Sequence, residues 1–118
     1  MENLLALLLQ ARNVAQVHHW KVKSFSLHMA LGELYDLLED FADSLAEMSM
    51  GAHGPLGDVP HDVDLGLDKV TVLGFISQLF QALEGMKGTI PQDSWLINKY
   101  EELQASVSTI KYKMENLR

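Results

Sequence analysis

Residues 18–51, HHWKVKSFSLHMALGELYDLLEDFADSLAEMSMG, decide the fold and the chemistry expected of this chain. Apolar residues recur along this stretch at steps of three and four, which is the period of an amphipathic α-helix. They are Leu31, Leu34, Leu38, Phe41, Leu45 and Met48. The pattern predicts a helix over residues 26–50, with Ser24 or Ser26 as its N-terminal cap and Gly51 as its C-terminal cap.

Further helices are predicted on both sides of this one. Residues 2–23 contain no proline or glycine, and their leucine, alanine and glutamine residues favour a helix. A third helix is expected over residues 69–87, opened by Asp68 or Thr71. Its apolar seam consists of Val72, Ile76, Leu79, Leu83 and Met86, widened by Phe75 and Phe80.

The last helix, predicted over residues 91–117, has the most regular pattern in the chain. Pro91 suits the first turn of a helix, and Asp93 or Ser94 could also cap it. The apolar residues alternate steps of four and three, as they do in helices that pack side by side. They are Leu96, Tyr100, Leu103, Val107, Ile110, Met114 and Leu117.

Loop lengths select the topology of this single all-α domain. Only a few residues join the first helix to the second and the third to the fourth, so each pair forms an antiparallel hairpin. Phe25, in the first of these loops, is expected to act as a short hydrophobic staple. Residues 51–68 form a crossover that could reach ~60 Å when extended, whereas a helix of about 25 residues is ~37 Å long. Two hairpins joined by one long crossover predict a ferritin-like four-helix bundle.

Composition and charge narrow the classes of function. A chain of 118 residues with 47% hydrophobic and 21% charged residues is typical of one globular domain. The net charge of −7 argues against nucleic-acid binding, which depends on lysine and arginine contacts to phosphates. With no cysteine there is no disulfide or thiolate site, which suits a cytoplasmic protein. The leucine-rich run at residues 4–9 lacks the basic flank of a signal peptide and the length of a membrane span, so it predicts a buried helix.

Candidate metal ligands lie at both ends of the second helix. Asp43 and Glu47 are four residues apart and share one face. His28 lies ~22 Å from Asp43 along the axis, at ~1.5 Å per residue, so the two cannot bind one ion within a single chain. They do lie on the same side of the helix, so an antiparallel two-fold dimer would bring His28 to Asp43 and Glu47 of the other chain. His19 would join its own His28, and this donor set suits iron, manganese or zinc.

Each of these residues also has a simpler interpretation. An acidic stripe, here continued by Asp36 and Asp40, is more often a solvated helix face than a set of ligands. His19 and His28 are each more often histidines of a core or a helix end than metal ligands. His18 points elsewhere on the first helix and is expected at the surface or in an interface.

The pattern of His19-Trp20, His28, Asp43 and Glu47 resembles the ferroxidase region of the Dps family of mini-ferritins. In that family a His-Trp pair ends the first helix, a second histidine opens the second helix, and an Asp and a Glu follow at the spacing found here. The resemblance implies that histidines of one subunit and carboxylates of its partner bind iron, which peroxide or oxygen then oxidises. It also implies that Trp20 is a redox-active neighbour of the metal, although an interface aromatic is an equal alternative. The segment KSFSLHMALGELYDLLEDFADSLAE is similar, too, to small phage-encoded ferritin-like proteins of unassigned function.

The chain departs from the Dps pattern in three respects. Gly32 stands where Dps proteins carry a further carboxylate, the link between the two histidines is shorter, and there is no lysine-rich N-terminal tail. The sequence therefore predicts an iron-binding homo-oligomer, at minimum a dimer, with ferroxidase chemistry and no membrane or nucleic-acid partner. If phage-encoded, it would act in the cytoplasm of a bacterial host. The alternative is a non-enzymatic helical oligomer or virion-associated protein with a vestigial metal site.

Overall fold

A computed structural model of the chain describes residues 1–62 and 64–118 and contains four α-helices. They are α1 (Glu2–Lys21), α2 (Phe25–His53), α3 (Val72–Met86) and α4 (Ser94–Asn116), with short 3₁₀ turns at Leu67–Lys69 and Lys87–Thr89. The described residues contain no β-strand. The prediction of an all-helical chain with four helices is confirmed.

The start of α2 agrees with the sequence prediction, but its end does not. Ser24 caps the helix, and its hydroxyl accepts a hydrogen bond from the Leu27 N–H at 3.3 Å. The helix then continues through Gly51 to His53, so the prediction that Gly51 ends it is wrong. A glycine inside a helix costs only about 1 kcal/mol. The helix ends instead at Gly54, which has a φ of 85° and precedes a proline that disfavours helical geometry.

The start of α3 agrees with the sequence prediction, whereas the start of α4 does not. Thr71 caps α3 by accepting the Gly74 N–H at 3.1 Å, which selects Thr71 over Asp68. Pro91 does not enter α4, which begins at Ser94 with Asp93 in the cap position. Asp93 makes no capping hydrogen bond because its carboxylate accepts one from His53 Nε2 at 2.7 Å. This hydrogen bond also lowers the pKa of Asp93 below its ordinary value.

The helices enclose one hydrophobic core. α1 packs mainly on α2, α2 also packs along α4, α3 packs on α4, and α1 contacts α3 more lightly. The predicted seam of α4 is buried from Leu96 to Met114, but Leu117 is 55% exposed because it follows the end of the helix. The residues of α2 that are fully buried are Leu31, Leu34, Leu38 and Leu45, whereas Phe41 and Met48 are half-buried against the core.

The connection between α2 and α3 runs along α1 from its start towards its end. The Gly57 N–H donates to Glu2 Oε2 at 2.8 Å, which lowers the pKa of Glu2. Eight residues further along both segments, the Leu65 N–H donates to Gln10 Oε1 at 3.1 Å. α3 therefore begins near the C-terminal end of α1 and runs antiparallel to it.

Two contacts fix the direction of α4 relative to α2. Near the N-terminal end of α2, Glu33 Oε2 lies 3.1 Å from Lys113 Nζ, in the last turns of α4. At the other end of α2, His53 binds Asp93, at the start of α4. The two helices are thus antiparallel, and the chain runs up through α1, down through α2, down again through α3 and up through α4.

Candidate metal centre

His19 and His28 lie side by side where α1 turns into α2. His19 Nδ1 lies 2.6 Å from the backbone oxygen of His28, and His28 Nδ1 lies 2.8 Å from the backbone oxygen of His19. A carbonyl oxygen only accepts hydrogen bonds, so each Nδ1 must carry the hydrogen. In the neutral rings, both Nε2 atoms therefore keep their lone pairs. Metal-binding histidines are commonly held in this way, with the non-ligating nitrogen on a backbone carbonyl.

The two imidazole rings are stacked. Their centroids are 3.7 Å apart and their planes are inclined by 18°. Planes so nearly parallel meet only roughly 10 Å away, whereas a metal ion lies in the ring plane at ~2.0–2.1 Å from its nitrogen. One ion therefore cannot bind both Nε2 atoms in this arrangement. Binding by both rings requires the stack to open.

Gly32 and Tyr35 complete the surroundings of His19. The ring of Tyr35 meets that of His19 edge-on at 5.3 Å, and the Arg12 guanidinium lies 5.4 Å from the Tyr35 ring centroid. A Cβ atom at Gly32 would lie 3.2 Å from His19 Cε1 and 3.4 Å from His19 Nδ1. A side chain at position 32 would therefore press against the ring of His19, which would have to shift by a few tenths of an ångström. This packing gives a physical reason for the glycine that the sequence alone showed only as a missing carboxylate.

The acidic residues lie on the outward face of α2. Asp43 and Glu47 are both exposed, as are Asp36 and Asp40 on the same face. None of these four carboxylates forms a hydrogen bond or ion pair with a described residue. Within one chain, residues 1–62 and 64–118 contain no group of three or more His, Asp or Glu side chains that could hold a metal ion. The structure thus brings His19 and His28 together but leaves Asp43 and Glu47 apart from them.

Apolar side chains are exposed beside the histidine pair. Trp20 is 67% exposed, Phe25 76% and Met29 56%. The prediction that Phe25 packs as a staple is wrong, because its side chain leaves the first turn of α2 towards solvent. A groove of about 760 Å³ runs past Met29 and Gly32 and is lined by His19. The His19 ring is therefore reachable from the outward face of α2, over the position where Gly32 has no side chain.

His18 is half-buried at the end of α1. Its ring packs against Phe75 of α3, with centroids 5.5 Å apart. Its Nε2 atom is buried and has no hydrogen-bond partner among the described residues. Burial, with a smaller contribution from Lys21, lowers the pKa of His18.

Replacing His18 with phenylalanine is expected to stabilise the protein, most strongly at acid pH. In the unfolded chain His18 takes up a proton at about pH 6.5, whereas its lowered pKa in the folded state delays protonation. Stability is therefore lost as the pH falls below about 6.5. His18→Phe removes this loss together with an unsatisfied buried nitrogen, for a gain of about 1 kcal/mol at neutral pH.

Urea unfolding of wild type and variant at several pH values between neutral and mildly acidic measures this effect. His61→Gln, at an exposed position of the crossover, is the matched control, for which little change is expected. Equal acid sensitivity of wild type and His18→Phe would contradict the prediction.

None of the described helices is long and apolar enough to cross a membrane.

Comparison with known proteins identifies the family of the chain. No curated protein and no solved structure is significantly similar to the chain. The sequence model of a family of unknown function, DUF5856, matches residues 19–114, a span that includes His19, His28, Asp43 and Glu47. The chain therefore belongs to the DUF5856 family.

Proposed function

We propose that this chain is a Dps-like, ferritin-like protein that binds iron at two identical sites shared between the subunits of a two-fold dimer. His19 and His28 of one subunit would supply the imidazole ligands, and Asp43 and Glu47 of the partner subunit the carboxylates. The observation that carries the proposal is the reciprocal pair of hydrogen bonds that leaves the lone pair on Nε2 of both histidines.

The course of the chain supports the ferritin-like part of the proposal. Ferritin-like bundles consist of two hairpins joined by one long crossover. Here α2 packs along α4, and the link to α3 runs beside α1. An up-down-up-down bundle with short loops would instead place α3 beside α2.

The distribution of charge along α2 supports an antiparallel dimer. Around its N-terminal end lie Lys21, Lys23 and the exposed apolar side chains of Phe25 and Met29. Its exposed carboxylates lie further along, from Glu33 to Glu47. In an antiparallel pair, the basic and apolar end of each subunit would meet the far end of this acidic stretch, at Asp43 and Glu47 of the other, which favours this register.

The donor set fits iron. Two neutral imidazoles and two carboxylates suit Fe(II), Mn(II) or Zn(II) better than Ca²⁺ or Mg²⁺. His19 Nδ1 and His28 Nδ1 are already held by backbone carbonyls, so no tautomer change is needed. The stacked rings must swing apart for both to bind one ion. The partner's carboxylates would attract the ion electrostatically and hold it against the two opened rings.

Iron would be the substrate of the reaction. Two Fe(II) ions give one electron each to hydrogen peroxide, which takes up two protons and leaves as two molecules of water. The imidazoles would hold Fe(II) as neutral donors, whereas Asp43 and Glu47 would stabilise the additional positive charge of Fe(III). Gly32 supplies no further carboxylate, so each shared site would hold its iron with one histidine pair and one carboxylate pair.

Anaerobic titration with Fe(II), followed by peroxide or air, tests the proposal. Wild-type protein is expected to bind about one Fe(II) per chain, because a two-fold dimer has one such site per subunit. It should then develop ferric absorbance faster than buffer does. His28→Ala and Asp43→Ala should each lose this binding, whereas Asp58→Asn, at an exposed crossover position, should retain it. Binding by wild type no tighter than that by His28→Ala would refute the metal site.

The second candidate is a non-enzymatic helical oligomer, such as a virion-associated protein. It is favoured by the exposed apolar side chains of Trp20, Phe25 and Met29 and by a histidine stack whose two Nε2 atoms cannot bind one ion. An oligomer that forms through this surface but binds no iron would select this alternative.

A further inference from the structure

The proposed dimer brings like charges together at its centre. If His28 lies opposite Asp43 and Glu47 of the partner subunit, the two-fold axis crosses α2 midway between His28 and these two carboxylates. That point lies beside Asp36. Asp36 is exposed and points to the same side of α2 as these carboxylates. Each Asp36 would therefore face its own copy across the axis.

Neighbouring carboxylates increase this repulsion. Asp40, one turn beyond Asp36, would approach Glu33 of the partner subunit, and among the described residues Glu33 pairs only with the half-buried Lys113. Asp36 and Asp40 have no ion pair within the described chain. Packed helices are ~8–10 Å apart, which is no greater than the Debye length of ~10 Å at 0.1 M salt. Ordinary salt therefore does not screen the repulsion fully.

We infer, on the basis of the function proposed above, that dimer formation and metal binding are a single coupled equilibrium. The metal-free chain is monomeric, because the acidic centre of the α2 face opposes the attraction of Trp20, Phe25 and Met29. A divalent cation at each shared site offsets the charge of Asp43 and Glu47 and joins the two subunits. Coupling is reciprocal, so metal strengthens the dimer and a higher protein concentration strengthens metal binding.

Substitution of Asp36 tests this coupling without changing the proposed metal ligands. It opposes dimer formation but is not among the proposed ligands. Asp36→Asn is therefore expected to strengthen the metal-free dimer by about tenfold or more, as expected for removing a close like-charge pair. Asp58→Asn makes the same chemical change at an exposed position in the crossover and is expected to leave dimer formation unchanged.

Sedimentation velocity over a wide range of protein concentration, with EDTA or with Zn(II) as a redox-inert probe, tests the inference. Wild type should sediment as a monomer in EDTA and as a dimer in zinc, and zinc affinity measured by calorimetry should rise with protein concentration. Asp36→Asn should dimerise in EDTA at lower concentration than wild type or Asp58→Asn.

Failure of the shared metal site and failure of the coupling would give different experimental results. A wild-type dimer of equal strength in EDTA and zinc that still binds the metal through His28 and Asp43 would overturn the coupling but not the site. Equal dimer strength for Asp36→Asn and Asp58→Asn would also overturn the coupling. Zinc binding that is absent, or that occurs on a monomer, would overturn the shared site and the coupling with it.

Discussion

Mixing two variants that bind no iron, His28→Ala and Asp43→Ala, is expected to restore between about a quarter and about a half of the wild-type sites. In a mixed dimer, the Asp43→Ala subunit supplies an intact histidine pair and the His28→Ala subunit supplies intact carboxylates. One of the two sites is then complete and the other lacks both halves. Random exchange at equal concentrations makes half of the dimers mixed, and each has one complete site of two, which gives about a quarter of the wild-type sites. Metal binding stabilises only the mixed dimers, so coupling of metal binding to dimer formation raises the recovery towards a half.

A second mixture provides the matched control. His19→Ala and His28→Ala both damage the imidazole half, so no site in their mixed dimer is complete. Iron binding by calorimetry after unfolding and joint refolding should therefore recover in the first mixture and not in the second. Equal behaviour of the two mixtures would contradict a site built from His28 of one subunit and Asp43 of the other.

Tyr100→Ala is expected to lower the free energy of unfolding by about 3–5 kcal/mol, as for other large aromatic side chains removed from a core. Tyr100 is completely buried on α4. Its hydroxyl also donates a hydrogen bond to the backbone oxygen of Leu83, near the end of α3. The substitution thus removes both core volume and a link within the second hairpin. Urea unfolding followed by circular dichroism measures the loss.

Tyr100→Phe isolates the hydroxyl and is expected to cost only about 1 kcal/mol. Burial, with a smaller contribution from Glu84, raises the pKa of Tyr100 to about 12. The stability that depends on the neutral phenol is therefore present below about pH 10 and is lost as the pH rises towards 12. Tyr100→Phe should show less of this alkaline loss. A Phe variant as unstable as the Ala variant would contradict the assignment of the larger effect to packing.

The sequence was sufficient for features that depend on neighbours along the chain. The apolar seam of α4 has a regular period, and the caps Ser24 and Thr71 act on amides three residues away. The errors at Gly51 and Pro91 both concern helix ends, and at the start of α4 a contact with a distant residue competes with local preference. Asp93 shows this competition, because His53, 40 positions away, takes the carboxylate that would otherwise cap α4.

The candidate site likewise has features that the sequence predicted and features that it could not predict. That His19 and His28 lie together was predictable, because only a short loop separates them. The ring stacking, the edge contact of Tyr35 and the role of Gly32 involve three-dimensional contacts that leave no period in the sequence. The relation of the histidines to Asp43 remains a prediction, because it depends on a second copy of the chain.

The crossover is longer than its path requires. Between its contacts with Glu2 and Gln10, the link from Gly57 to Leu65 advances in step with α1, which rises only ~1.5 Å per residue. An extended chain advances ~3.3 Å per residue, so roughly half of the link is surplus length. This slack gives protein engineers a place to insert a fluorophore or an affinity tag without changing the direction in which α3 begins.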